Sequence, residues 1–297
     1  MKREHSLKNF LIGMIYLLPA LVILVTFQIY PIFKALLMSF YTKYNYFKHI
    51  VFEYGFDNYI NLFKDEKFIL ALQNTFIFVI GVVPASIIIS IFIATLLNSK
   101  IQFKNLFRNI YFLPFVTSTT AIAMVWRWIY HSQYGLLNYF LSLIGIDPIQ
   151  WLIDPNWSMI ALIILSIWKT LGYNILIILT GLQNVDEQYN NAAKIDGAKA
   201  WKRFTRITFP LISPTIFFVS ITSLIGSFKV FGEVYILFDK MPGPLNSCLT
   251  MVYYIYDKLA VKYSYGMASA ASVVLFLIIL AITLIQFIIS KKWVHYK

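Results

Sequence analysis

The stretch IIISIFIATLL, residues 87–97, carries no charge, and a helix drawn through it is apolar on every side. It lacks the strict alternation that a half-buried strand or a membrane barrel would show. Such a segment finds its solvent in lipid. The uncharged run around it extends from Ala71 to Leu97, and about 20 helical residues suffice to cross a hydrocarbon core of ~30 Å.

The whole chain follows this pattern. Its 297 residues are 59% hydrophobic and 13% charged, too apolar for one water-soluble core. Uncharged or nearly uncharged runs place six transmembrane helices, at residues 10–33, 71–97, 108–130, 157–182, 207–238 and 267–290. The fourth contains Lys169, and the fifth runs into Lys229 and Glu233. The expected fold is an all-α membrane protein. Residues 1–9 read as a short tail and 10–297 as a single transmembrane domain, with residues 183–209 as the loop between the fourth and fifth spans.

The first span follows Lys2, Arg3 and Lys8. It is longer than a signal-peptide apolar region and no small-x-small site follows it, so an uncleaved helix is expected. The one cysteine, Cys248, has no partner in the chain for a disulfide. With the amino terminus inside, 14 of the 25 Lys and Arg residues fall on inner segments and 8 on outer ones, which places both termini in the cytoplasm. The net charge of +12 then serves orientation and contact with anionic lipid headgroups. Nucleic-acid binding is disfavoured, because these cations are spread over four segments and form no stripe.

Several chemistries lack their residues. No glycine is followed by lysine, which excludes the phosphate loop GxxxxGK[ST] and ATP hydrolysis by that route. His5, His49, His131 and His295 stand far apart, and no His or Cys pair has metal-ligand spacing. Ser86, Ser90 and Ser220 have no nearby His or Asp, so helix contacts explain them better than nucleophilic catalysis. A membrane enzyme remains the weaker alternative.

The loop NAAKIDGAKAWKRFTRITFP, Asn191–Pro210, interrupts the apolar pattern. Asp186 is positioned to cap a helix, on which Tyr189, Ala192 and Ala193 share one small face. Gly197 bends the chain. After it Trp201 and Phe204 lie about one turn apart, beside Lys199, Lys202, Arg203 and Arg206. An interfacial helix resting on lipid explains that second half, but not the alanine face, which suits close approach by another protein.

This spacing resembles the EAA loop of binding-protein-dependent ABC importer permeases: E-A-A, three residues, G, nine residues, I-x-L-P. Here Asn191-Ala192-Ala193 is followed after three residues by Gly197, then after nine by Ile207-Thr208-Phe209-Pro210. Asp196-Gly197-Ala198 has the form typical of the carbohydrate branch, while Asn191 stands in place of Glu and Phe209 in place of Leu. The likeness extends to YLLPAL (Tyr16–Leu21), NTFIF (Asn74–Phe78), VWRWIY (Val125–Tyr130), GLQNV (Gly181–Val185) and the apolar ending from Ala268. MPGP (Met241–Pro244) replaces the GGPG often found after the fifth span.

The resemblance implies a permease subunit of a bacterial plasma-membrane importer for a sugar or oligosaccharide, with glycerol 3-phosphate as the alternative. Its implied partners are a second permease, two ATPases that carry ATP and Mg, and an extracytoplasmic solute-binding protein, with no cofactor on this chain. The loop would be the coupling helix, with Ile207 and Pro210 leading back to the membrane. A bulky residue at Ala192 or Gly197 would uncouple ATP hydrolysis from uptake.

Polar groups inside the spans are costly, so those retained are candidates for a transport path. Lys169 falls near the middle of its span, with Tyr173 and Asn174 one turn on. Lys229 and Glu233 fall toward the outer end of theirs, where a local pair between them is as good a reading as substrate contact. Trp126, Trp128, Tyr130, Trp151 and Trp157 read mainly as an interfacial belt. A gradient-driven transporter would need a carboxylate at midspan, and sequence position puts none there.

Overall fold

A computed structural model of the chain describes residues 2–45, 48, 50–99 and 102–294, and of these the side chains of 2–8, 45, 104 and 105 are left aside. His49, Lys100, His295 and Lys297 lie outside the described residues, as do the side chains of Lys2, Arg3, His5, Lys8 and Lys104. Helix dominates, because apolar runs of this length can satisfy their backbone in lipid only within themselves.

The chain forms two compact units, residues 1–65 with 255–276, and residues 66–254 with 277–297. In the first, α1 (Lys2–Leu24) passes through a wide turn, Val25–Ile29, into α2 (Tyr30–Met38). The stretch Asn9–Met38 is long and apolar enough to span a bilayer and buries none of its core window within the chain. A hairpin follows that the sequence did not announce: β1 (Tyr41–Asn45) pairs antiparallel with β2 (Ile50–Tyr54), Tyr41 opposite Tyr54. Asn58, on α3 (Asp57–Lys64), ties the hairpin to the end of α2 by donating to the carbonyls of Ser39 and Tyr41 at 2.9 and 3.0 Å.

The second unit is built on α4 (Glu66–Asn98), α8 (Pro155–Gln183) and α12 (Ser213–Phe228). Their shared core includes Ala94 and Leu97, Ile178 and Leu179, and Ile216 and Val219, so three separate apolar runs close on one another. Gly172 on α8 lets α5 (Lys104–Val116) approach: a Cβ there would lie 2.1 Å from the Tyr111 carbonyl oxygen. Gly172→Ala is therefore expected to destabilise this packing by about 1–3 kcal/mol. Thermal unfolding of the detergent-solubilised protein measures it, and an unchanged midpoint would refute the close approach.

Four helices meet the length and hydropathy needed to span: Asn9–Met38, Glu66–Asn98, Pro155–Gln183 and Tyr265–Trp293. The expected spans at 108–130 and 207–238 are not straight. The first breaks between α5 and α6 (Thr119–Ile129), whose axes differ by 102°. Thr117 and Ser118 are extended at the break, with ψ of 146° and 132°. The second bends by 66° where α11 (Phe209–Leu211) gives way to α12 at Ile212, between Pro210 and Pro214. It leaves helix again at Lys229–Phe231 before α13 (Gly232–Leu237). Counting each bent pair as one span gives six.

The aromatic belt needs correction as well. Tyr130 is 1% exposed, its hydroxyl donating to the Ala161 carbonyl at 2.8 Å. Trp151 is 5% exposed, its Nε1–H donating to Asn138 on α7 (Leu136–Leu143) at 2.9 Å. Both are internal struts, because each ring has a polar atom with a partner inside the chain. Trp128 is exposed.

Candidate functional site: a polar chamber at midspan and a loop at one end

Lys169 sits fourteen residues from either end of α8, and its ammonium does not stand alone. It donates to Thr119 Oγ1 at 2.6 Å and to Glu233 Oε1 at 2.7 Å. Thr119 opens α6 just after the 102° break, and Glu233 lies in the first turn of α13 just after the helix break at Lys229–Phe231. One lysine on an unbroken helix thus bonds both broken spans beside their breaks. The two side chains of the ion pair are each 17% exposed, so the pair is largely withdrawn from solvent.

This corrects two expectations. Glu233 pairs with Lys169 and not with Lys229, and a carboxylate does stand at the depth of Lys169. Counting helical rise from Pro210 placed Glu233 too far out, because the chain bends at Ile212 and leaves helix at Lys229.

A chamber of about 470 Å³ opens around the pair. The structure brings all five candidate path residues, Lys169, Tyr173, Asn174, Lys229 and Glu233, to its wall. Spacing within α8 could show three of them together. The approach of Lys229 and Glu233 depends on the breaks.

The wall also holds groups that spacing did not reveal. Phe115 stacks on Tyr173 with ring centroids 5.0 Å apart, giving one side a flat aromatic surface. Asn174 accepts from Ser223 at 3.2 Å through Oδ1, while its Nδ2 is buried without a partner. Ser166 Oγ is likewise buried and unmet. A buried polar group left unpaired costs about 1–3 kcal/mol, so these two atoms weaken the packing of α8 at this level.

The loop follows the carboxyl-terminal end of α8. Asp186 caps α9 (Glu187–Ile195) as its position suggested, accepting from the Gln188 N–H at 2.9 Å. Tyr189, Asn191 and Ala192 are exposed on α9, but Ala193 is buried at 8%. The two alanines therefore do not form one outward face: Ala193 packs inward and Ala192 faces out. Asn191 accepts from Lys194 Nζ at a long 3.4 Å. Gly197 turns the chain with φ of 73°, a conformation open to glycine and strained for most side chains. Asp196 precedes that turn, and the Ala198 carbonyl after it accepts from Arg203 Nη1 at 2.7 Å.

Beyond the turn, α10 (Ala200–Arg203) passes through a wide turn, Phe204–Thr208, into α11. Ile207 lies in that turn and Pro210 in α11. The most exposed apolar side chains of the loop are Ile195, at 87%, and Trp201, at 76%. Ile195 had no assigned role. The signal was present: it lies one turn after Ala192 on a helix that is otherwise mostly polar.

At the opposite end, the exposed Arg127 on α6 donates to Asp239 at 3.2 Å. The guanidinium holds the Asp239 carboxyl below the usual carboxylate range. This contact is present above the ordinary carboxylate pKa and is lost as pH falls through that lowered value.

A helical chain with bent spans around a polar midspan chamber, and a charged loop between two spans, defines a membrane transport subunit. The chain belongs to the family of binding-protein-dependent transport system inner membrane components, whose model matches residues 86–295. It is 36% identical to the lactose transport system permease protein of Rhizobium radiobacter, over 94% of each chain. To a probable ABC transporter permease protein of Bacillus subtilis it is 34% identical, over 100% of this chain and 96% of that one. Its fold matches, with a TM-score of 0.84 and 25% identity, a chain in the crystal structure of a bacterial alginate ABC transporter complexed with an alginate pentasaccharide-bound periplasmic protein. That match covers 97% of this chain and 96% of the other. The protein is a membrane-embedded permease component of a binding-protein-dependent transporter.

Proposed function

We propose that this chain forms one half of the translocation path of an ATP-driven importer for a saccharide. The observation that carries this reading is the midspan chamber, where an aromatic surface, Phe115 on Tyr173, lines the same space as the Lys169–Glu233 pair. Sugars present apolar C–H faces and polar rims, and this wall offers a partner for each. The similarity to permeases named for lactose and alginate transport supports the substrate class.

The remaining parts follow from the same reading. A second permease completes the path, and an extracytoplasmic binding protein delivers the sugar. Two ATPases bind ATP and Mg and dock on the α9 loop. Both termini and that loop are cytoplasmic, consistent with the five cations between Lys194 and Arg206. Ile195 and Trp201 supply the apolar contact to the ATPase, and Gly197 sets the direction in which the loop transmits force to α12.

Reconstitution tests this. The chain, co-expressed with a second permease and ATPase subunits of such importers, is expected to purify as one complex. In liposomes it should accumulate labelled oligosaccharide only with ATP inside and binding protein outside. Uptake by the single chain driven by a proton or sodium gradient would instead establish a secondary transporter. Uptake of glycerol 3-phosphate but no sugar would replace the substrate.

A further inference from the structure

The charge balance of the chamber narrows the substrate. Two lysines and one glutamate are among its lining residues, Lys169, Lys229 and Glu233, and Lys229 is also exposed. The carboxylate is already engaged: Glu233 Oε1 lies 2.7 Å from Lys169 Nζ, which neutralises both. Lys229 lines the same space and makes no ion pair among the described residues, and no other Asp or Glu reaches the wall. The chamber therefore carries one uncompensated positive charge.

The hydrogen-bonding capacity has the same sense. The Lys229 ammonium offers three N–H donors and no acceptor. A neutral sugar hydroxyl brings an acceptor and also a hydrogen that needs an acceptor of its own. A carboxylate or phosphate brings acceptors and a negative charge, and hydrogen bonds to an ionised group are about twice as strong as neutral ones.

We propose that the chamber is built for an anionic saccharide, a sugar acid or a sugar phosphate, with Lys229 as the specificity-determining counter-ion. This rests on the saccharide path proposed above and specifies its substrate class. Lys169 positions the two broken spans and leaves Lys229 as the free cation, so Lys229 sets the charge preference.

The test reads the chamber without the selectivity of the binding protein. The complete importer in lipid nanodiscs, with the binding protein omitted, is titrated calorimetrically with three probes: galacturonate trisaccharide, glucose 6-phosphate and neutral galactotriose. At least one anionic probe is expected to bind about tenfold more tightly than galactotriose, the size of one charge-assisted hydrogen bond. Lys229→Gln should remove most of that ratio, and Lys229→Arg should preserve it. The anionic probe that binds distinguishes sugar acid from sugar phosphate. Galactotriose binding as tightly as both acids, or a ratio unchanged in Lys229→Gln, overturns the charge assignment and leaves the saccharide path standing. Failure of all three probes to bind overturns both.

Discussion

Lys169→Met is expected to reduce ATP-driven uptake more than tenfold and to lower the thermal stability of the solubilised importer. The substitution leaves the Glu233 carboxylate facing the chamber without its counter-ion and releases Thr119, 2.6 Å from the same ammonium. Removing one member of a buried pair costs about 3–5 kcal/mol, and the 17% exposure of both side chains puts this pair toward the lower end. Glu233→Gln alone should have a milder effect. The double variant Lys169→Met with Glu233→Gln should be more stable than Lys169→Met alone, since the carboxylate stranded by loss of Lys169 is then removed as well. A double-mutant cycle on the unfolding midpoint measures this. Strict additivity would show that the pair holds nothing together.

The second large effect falls on the loop. Gly197→Val should leave membrane insertion and complex assembly intact, because the added Cβ would meet nothing within 4 Å. It should nevertheless abolish most stimulation of the ATPases by loaded binding protein. The reason is φ of 73° at this residue: a β-branched side chain in the left-handed region costs at least about 1–2 kcal/mol, and relaxation redirects α10 relative to α9. Gly197→Asn should retain most coupling, since Asn tolerates that region. Equal loss in both variants would make side-chain volume the cause in place of backbone conformation. The measurement is ATP hydrolysis by the reconstituted complex with and without loaded binding protein.

These two sites differ in how far the sequence announced them. At the loop, Asp186 as a cap and Gly197 as a turn were legible because capping and left-handed turns depend on a few adjacent residues. The division of the alanine pair was not, since whether Ala193 turns inward depends on what α9 packs against. At the chamber, Lys169, Tyr173 and Asn174 could be grouped from helical spacing along α8. Glu233 was misplaced for the same reason that spacing works elsewhere: counting rise assumes an unbroken helix, and this chain leaves helix at Lys229.

Hydropathy shows a similar boundary. It located the long helices Glu66–Asn98 and Pro155–Gln183, because desolvating their backbone leaves no alternative to helix. It could not see the 102° break at Thr117 and Ser118, since the segments on both sides are equally apolar and lipid tolerates either path. Nor could it tell the buried Tyr130 and Trp151 from the exposed Trp128, all three being aromatic residues near inferred span ends.

By itself the sequence determined the solvent of this protein, its helical class, and the loop with its cap and turn, because these follow from composition and from neighbours within a turn or two. Only the tertiary structure decided that Lys169 closes on Glu233, that Lys229 reaches the same chamber with no ion pair among the described residues, and that Phe115 stacks on Tyr173 there. Those outcomes depend on where two spans break and which helices then meet, and charge pairing over a few ångströms is settled by that meeting alone.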